Sequence, residues 1–190
     1  MERALIQDKK FEKEDITENK LPIADYEYCI FTNCDLSNAD LSQRVFLDCE
    51  FNSCNLSTAK LIKTGLKNVK FKGCKLLGLH FENCDQFLFG VDFDNCILNL
   101  SSFYKCKLKK TRFKGSNLSE VDFTEADLTS SLFDNCELTG ARFERTILEK
   151  ADLRTSRNYS IDPELNKIKK ARFSIHGITG LLDKYDIEIE

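Results

Sequence analysis

Residues 121–140 read VDFTE ADLTS SLFDN CELTG, four groups of five whose central residues are Phe123, Leu128, Phe133 and Leu138. Stepping by five along the chain extends this pattern in two registers, and leucine or phenylalanine fills all 25 central positions. The first register runs from Phe31 to Phe81, and the second runs from Leu88 to Leu153. A pattern this regular indicates an internal repeat, which decides the fold before any local secondary structure is considered.

A small side chain (Ala, Cys, Ser, Thr or Val) stands two positions before the central residue in 22 of the 25 groups. The exceptions are Arg44, Leu79 and Gln86. A period of five fits neither an α-helix nor a flat strand. It fits a chain that turns a corner every five residues and directs one large and one small side chain inward each time. Four such sides close a square coil, and successive coils stack at the strand spacing of about 4.8 Å.

Positions one coil apart form columns in this arrangement, after allowance for two extra residues between Phe81 and Leu88. Like residues then stack on like residues, and aromatic rings can stack in an offset manner. Residues 11–30 follow the five-residue spacing only loosely, as expected for a degenerate first coil. The predicted core of the repeat consists of two columns: Phe31, Phe51, Phe71, Phe93, Phe113 and Phe133 in one, and Leu36, Leu56 and Leu76 in the other.

Three groups carry a motif of the form Ala-(Asp/Asn)-Leu-x-x, namely Ala-Asp-Leu-Ser-Gln at 39–43, Ala-Asp-Leu-Thr-Ser at 126–130 and Ala-Asp-Leu-Arg-Thr at 151–155. With these motifs the chain resembles the pentapeptide-repeat family over residues 29–155. The resemblance implies an all-β fold, a right-handed quadrilateral β-helix of about seven coils. We expect an N-terminal cap and degenerate first coil at 1–30, the β-helix at 31–155, and a C-terminal cap or dimerisation segment at 156–190.

The cysteines fall mostly at the small position of the repeat. Stacked cysteines would lie parallel at about 4.8 Å, which suits neither disulfide geometry nor the convergent ligands of zinc. We therefore expect reduced, buried cysteines that act as small fillers, and we expect no metal and no cofactor. The eight at this position are Cys29, Cys34, Cys49, Cys54, Cys74, Cys96, Cys106 and Cys136.

The two extra residues between the registers must bulge from one corner of a coil. One interpretation is a harmless insertion. The other is a protrusion that contacts a partner, and its candidate contact residues are Asp85, Gln86 and Phe87.

The last part of the chain reads as a helix, which Ser174 would cap and which would run to Tyr185. Ile187 and Ile189 alternate with acidic residues, as in a final strand. Ser-Ile-Asp-Pro at 160–163, followed by Leu-Leu at 181–182 and the alternating isoleucines, resembles the tail of the quinolone-resistance branch of the family, which dimerises through that end, so the resemblance implies a homodimer. Simple capping of the β-helix is the alternative. The candidate dimerisation residues are Ile175, Ile178, Leu181, Leu182 and Tyr185.

The net charge of −3 argues against broad nucleic-acid binding, and no direct contact with nucleic acid is expected. No apolar stretch is long enough to cross a membrane and no secretion signal is evident, so a cytoplasmic location is expected. One outer column alternates in sign through Glu50, Lys70, Asp92 and Arg112. Such a column predicts a wall of salt bridges, which weakens any analogy with relatives whose acidic exterior mimics DNA.

No glycine-rich phosphate loop, metal-ligand cluster or nucleophile elbow occurs in the sequence, so an enzyme is not expected. The first hypothesis is a module that binds a protein partner through its solenoid surface. The resemblance implies that this partner is a type II topoisomerase, DNA gyrase. The alternative is a general structural or interaction scaffold with an unrelated partner. A carrier domain for a fused enzyme is a third and weaker hypothesis.

Overall fold

The computed structural model describes residues 3–14, 16 and 21–188, and it shows a β-solenoid built from short parallel strands. None of the helical segments in this part of the chain has the length and apolar character that a membrane crossing requires. Short 3₁₀ helices cover Phe81–Asn83, Ile175–Leu181 and Asp183–Tyr185. The strands are Ala4–Gln7 (β1), Lys10–Glu12 (β2), Ala24–Glu27 (β3), Ile30–Thr32 (β4), Val45–Leu47 (β5), Glu50–Asn52 (β6), Gly65–Lys67 (β7), Val69–Lys72 (β8), Val91–Asp94 (β9), Arg112–Lys114 (β10) and Leu132–Asp134 (β11).

Two sheets run along the solenoid, one on each of two sides of the coil. The larger sheet has seven strands in the order β11-β10-β9-β8-β6-β4-β2, and the smaller has four in the order β1-β3-β5-β7. On the other two sides, isolated parallel bridges such as Asp40 to Lys60 join successive coils. The stacked parallel strands bear out the prediction of a pentapeptide-repeat β-helix, with about six turns where about seven coils were expected.

The phenylalanines of the predicted column stack along the larger sheet. The larger sheet pairs Phe31 with Phe51 and Phe51 with Phe71, a step of twenty residues. The next step, from Phe71 to Phe93, takes 22 residues because the extra residues lie in that coil. Ring centroids along this column stand 4.6 Å apart between Phe31 and Phe51 and 4.8 Å apart between Phe113 and Phe133.

A second aromatic stack fills the C-terminal half of the interior. Phe81, Phe103, Phe123 and Phe143 stack in parallel, with centroids 4.4 Å apart between the first two. The rings of this stack meet the first stack edge to face, as Phe103 meets Phe113 at 6.1 Å. The interior therefore contains both favoured geometries of aromatic pairs.

The acidic residue of the motif shapes the corner that follows it. Asp40 accepts a hydrogen bond from the backbone N–H of Ser42 at 2.9 Å, and Asp127 accepts one from Thr129 at 3.1 Å. The residue after that amide then takes a left-handed backbone conformation, with φ of 63° at Gln43. Asp or Asn is thus selected at this position because its short side chain bonds to the backbone two residues on.

The cysteines do more than fill space. The thiol of Cys54 donates to the carbonyl oxygen of Phe31 at 3.4 Å, and that of Cys74 donates to Phe51 at 3.2 Å. Ser156 takes the same role toward Phe133 at 2.8 Å. All nine cysteines are free and buried, and burial raises the pKa of the Cys49 thiol to about 12. Where a thiol donates in this way, it adds a hydrogen bond to a buried carbonyl, a group that is costly to bury without a partner.

Arg44, an exception at the small position, is buried rather than swung outward. Its Nε donates to the carbonyl oxygen of Leu21 at 3.1 Å, and its Nη1 donates to that of Ser42 at 3.0 Å. The guanidinium therefore serves the same purpose as the cysteines one corner away, because it pairs a buried carbonyl of the preceding coil. Its role is structural, and it is not available as a surface contact.

The expected start of the second register at Leu88 is wrong. Asp85 pairs with Gly65, so the first register continues and Gln86 takes the central position. Leu88 lies at the corner with φ of 59° and is 67% exposed. The backbone ladder decides the register here, and the hydrophobic pattern does not. Loss of the hydrogen bonds between coils would cost more free energy than the burial of one more leucine would gain. The two extra residues accordingly follow Gln86 instead of preceding it.

The C-terminal helix is present, but it is two 3₁₀ segments instead of one continuous helix. Ser174 caps it as predicted, because its Oγ accepts from the backbone N–H of Gly177 at 3.0 Å. Gly180 packs so closely that an added Cβ would stand 2.0 Å from the carbonyl oxygen of Tyr159. The predicted final strand is wrong at Ile187, which lies in no strand, and Ile189 lies outside the described residues.

Replacing a central phenylalanine should strongly destabilise the solenoid. Phe113 is fully buried and stacks at 5.3 Å on Phe93 and at 4.8 Å on Phe133. Phe113→Ala should therefore lower the free energy of unfolding by about 3–5 kcal/mol, measured by urea denaturation. Phe87→Ala removes an exposed ring and should change it by less than about 0.5 kcal/mol. Equal losses in the two variants would contradict the assignment of the core.

Acid should weaken the contact between the last coils at Glu137. Burial alone would raise the pKa of this carboxyl, but hydrogen bonds from Thr139, Arg157 and Asn158 outweigh burial and lower the pKa from 4.5 to about 2. Because the folded pKa is the lower one, the contribution to stability is complete above pH 4.5 and is lost as the pH falls toward 2. Glu137→Gln should flatten the pH dependence of the unfolding free energy in this window, measured by urea denaturation at a series of pH values, and an unchanged dependence would contradict the assignment.

Candidate partner-binding surfaces

The most exposed large apolar side chains lie at two places on the solenoid. One is the corner where the two extra residues leave the coil, where Phe87 is 68% and Leu88 is 67% exposed. The other is the C-terminal end, where Ile175 is 80% exposed. Contiguous exposed apolar groups mark interaction sites more often than single exposed residues do. These two surfaces are therefore the candidate functional sites.

The first surface, named here the corner bulge, consists of residues 87–90. Asp85 prepares its turn by accepting a hydrogen bond from the backbone N–H of Phe87 at 3.0 Å. Gln86 directs its amide inward, where it donates to the carbonyl oxygens of Phe81 and Cys84, both at 3.2 Å. Of the three predicted contact residues, Asp85 and Phe87 are thus exposed, whereas Gln86 supports the bulge from beneath.

Both ends of the corner bulge are fixed to the solenoid. Phe89 is half-buried, and its ring meets Phe81 edge to face at 6.5 Å. Gly90 rejoins the ladder, because its N–H donates to Leu66 at 2.9 Å and its carbonyl accepts from Val69 at 2.9 Å. A Cβ at Gly90 would stand 3.3 Å from the backbone nitrogen of Asn68, so glycine suits this close approach. The tip of the corner bulge, which is formed by Phe87 and Leu88, is therefore held in place by a segment that is fixed to the solenoid.

Lysines surround the tip of the corner bulge. The Nζ of Lys67, one coil below, lies 5.4 Å from the centre of the Phe87 ring, within the range of a cation–π contact. In the coil above, Cys106 lies next to Cys84 and Gln86, and Lys107, Lys109 and Lys110 follow Cys106 along the chain. Lys109 pairs with Asp127 at 3.2 Å. The apolar tip therefore lies in a basic surrounding.

Sequence reasoning missed Leu88 and Phe89 as parts of this surface. The regular spacing of leucines and phenylalanines assigned Leu88 to the interior, although Cys84 stands two before Gln86 as the first register requires. That cysteine, together with Gly90 directly before a new strand, is the signal that places the insertion correctly.

The second surface lies on the C-terminal 3₁₀ segments. Ile175, Ile178 and Tyr185 are exposed, by 80%, 49% and 52%. Leu181 is half-buried against the core, and Leu182 is also half-buried. The structure thus brings three of the five predicted dimerisation residues to the surface. Leu165 and Ile187, each 56% exposed, add to the same end of the molecule and were not singled out.

Ion pairs hold these segments against the last coil. The Nζ of Lys184 lies 2.8 Å from carboxylate oxygens of both Asp162 and Glu164. The hydroxyl of Tyr185 donates to Glu164 at 3.1 Å. The apolar side chains of the second surface are therefore carried on a segment with a defined position.

A cavity of about 370 Å³ opens beside the second surface and is lined by residues that include Arg157, Tyr159, His176 and Asp183. The Tyr159 hydroxyl is buried without a hydrogen-bond partner among the described residues, and burial raises its pKa. Over residues 3–14, 16 and 21–188, no cluster of three or more His, Cys, Asp or Glu could hold a metal ion.

The outer wall alternates in charge from coil to coil, as the sequence predicts. The larger sheet pairs Glu50 with Lys70 and Lys70 with Asp92. Carboxylates are partly neutralised by neighbours from adjacent coils, as in the pair of Glu50 with Lys72 at 3.0 Å. Such cross-strand pairs contribute to stability and fix the register of the coils.

Solved structures that are similar to this chain include QnrB1 and HetL. Full-length QnrB1, a plasmid-mediated fluoroquinolone resistance protein, has a TM-score of 0.55 at 19% identity, over 97% of this chain and 100% of that chain. HetL, a pentapeptide-repeat protein involved in heterocyst differentiation regulation from the cyanobacterium Nostoc sp. strain PCC 7120, has a TM-score of 0.59 at 13% identity, over 90% and 86%. At these identities the likeness concerns the fold alone. No curated protein sequence matches.

The family model of the pentapeptide repeat region matches residues 24–87 and 80–158, which is more than half of the chain. The match covers the stretch in which the five-residue motif, the stacked columns and the two sheets coincide. This chain belongs to the pentapeptide-repeat family.

Proposed function

We propose that this chain is a non-enzymatic protein that acts in the cytoplasm, where it binds a protein partner through the surface of its solenoid. The observation that carries the proposal is the contrast between interior and exterior. Phenylalanine and leucine columns fill the interior, whereas anchored apolar groups at the corner bulge and the C-terminal end face water. Burying such groups against a partner gains free energy without any rearrangement of the coil.

We infer further that the partner is DNA gyrase, a type II topoisomerase. Similarity of fold with QnrB1 along the whole chain supports this inference, since that protein confers fluoroquinolone resistance and both chains are covered almost completely. The paired charges of the outer wall argue against a uniformly acidic, DNA-like face. Recognition through rod shape and apolar contacts accords better with this exterior.

We also infer a homodimer formed through the second surface. Ile175, Ile178 and Tyr185 lie at the C-terminal end of the rod and are exposed in the single chain. The same patch can cover itself in an isologous pair, which is the commonest symmetry of small oligomers. Dimerisation would also cover the apolar residues Leu165 and Ile187 at this end.

Addition of the protein should change the response of gyrase to a fluoroquinolone. In a supercoiling assay that contains the drug, micromolar protein should restore supercoiling, because a bound rod competes with formation of the drug-stabilised complex. A matched reaction receives the Phe113→Ala variant, whose solenoid is weakened. If the wild-type protein neither inhibits gyrase nor relieves the drug at micromolar excess, the gyrase assignment is wrong.

Light scattering at micromolar concentration should give twice the chain mass of 21.9 kDa. Ile178→Asp should reduce the mass to that of one chain, because a carboxylate cannot be buried in an apolar interface without a large desolvation cost. Ile62→Asp replaces an isoleucine that is 54% exposed elsewhere on the rod and should leave the dimer intact. A mass near 21.9 kDa for the wild-type protein would contradict the dimer.

A further inference from the structure

The tip of the corner bulge is an apolar group that the solenoid holds out toward water. Phe87 is 68% exposed and Leu88 is 67% exposed, although the Lys67 ammonium lies over the Phe87 ring. Leu88 adopts a φ of 59°, a conformation that a bulky residue rarely takes. Because the bulge is anchored through Phe89 and Gly90, this exposure is built into the fold.

The charges around the tip are incompletely balanced. Lys67, Lys107 and Lys110 form no ion pair with any residue that the structure describes, whereas Lys105 and Lys109 each pair with a carboxylate. Asp85 is the acidic residue beside the tip, and one of its oxygens is engaged by the Phe87 amide. The surface therefore offers an excess of positive charge next to an aromatic and an aliphatic side chain.

We propose that the corner bulge and the lysines around it, Lys67, Lys107 and Lys110, bind an acidic segment of a partner protein that carries an apolar side chain beside its carboxylates. This inference rests on the proposed function, because it assigns the chemistry of the partner at one of the two surfaces. The carboxylates pair with the unbalanced lysines, and the apolar side chain covers Phe87 and Leu88. The attraction between opposite charges steers the two molecules together, and the apolar contact stabilises the complex.

The extent of the basic surface favours a protein segment over a nucleic acid. Around the corner bulge, lysines dominate the coils that contain residues 60–70 and 105–114, which together with the coil between them span roughly 15 Å along the rod. The coils on either side are acidic, with Asp40 and Asp48 before and Asp122 and Glu125 after. A polyanion that followed the rod would meet these carboxylates. A single exposed aromatic tip also provides no series of stacking platforms for bases.

The test is a titration of isotope-labelled protein with a short synthetic peptide in which aspartate and glutamate alternate with leucine and phenylalanine, followed by backbone amide shifts. The shifts should map to residues 85–90 and 107–110, and the affinity should fall as salt is added. Lys110→Glu and Leu88→Asn should each weaken binding by about tenfold, because one reverses a charge and the other removes an apolar contact.

The chain provides a matched control for each substitution. Lys150 occupies the corner position two coils on from Lys110 with φ of 59° against 62°, so Lys150→Glu carries the same backbone cost. Leu100 is 56% exposed with φ of 61°, so Leu100→Asn matches Leu88→Asn. Both controls should bind the acidic peptide within about twofold of the wild-type protein.

Three results would overturn the proposal. The first is an absence of shifts at about 1 mM acidic peptide, or shifts that map elsewhere. The second is equal or tighter binding of a peptide with lysine in place of the acidic residues, or of oligothymidylate. The third is shifts at the bulge that follow protein concentration alone, which would assign this surface to a second copy. The titration uses this chain by itself, so its outcome is separate from those of the gyrase and light-scattering experiments.

Discussion

The parallel backbone ladder between coils is the constraint on which the rest of this structure depends. Every twenty residues the chain must return to the same side in the same register, because each strand bonds only to the coils above and below it. Where 22 residues are available, the surplus is expelled at a corner and the ladder resumes at Val91. The corner bulge is thus a product of the same rule that makes the rod regular, and its exposure follows directly.

Interior side chains also provide hydrogen-bond donors for buried carbonyl groups. Side chains at the small position donate to the carbonyl of the preceding coil, and the donor is a thiol at Cys54, a hydroxyl at Ser156 and a guanidinium at Arg44. Cysteine, serine and arginine can therefore occupy the same position of the repeat, because each of them can donate a hydrogen bond to this carbonyl. This explains why cysteine is frequent here and why a buried arginine is tolerated at the same position.

The repeat made most of the fold predictable, since the columns from Phe31 to Phe133 follow from spacing alone. It misled at Leu88, because hydrophobic periodicity scores a leucine as interior, whereas the backbone pairing of Asp85 with Gly65 decides the register. It was silent on Arg44, because spacing marks an exception but does not show which carbonyl it meets. The C-terminal segments, which lie outside the repeat, were predicted as a helix, but the close approach of Gly180 to Tyr159 is a tertiary contact that spacing cannot show.

Regular stacking also governs how such a rod can change its length. A duplication or deletion of one full coil leaves every neighbouring strand with an equivalent partner, so the molecule can grow or shrink in steps of one strand spacing, about 4.8 Å. Any other change in length must emerge at a corner, as happens after Gln86. The length of the rod and its surface protrusions can therefore evolve separately. Whole coils set the length of the rod, and partial coils create new protrusions at its corners.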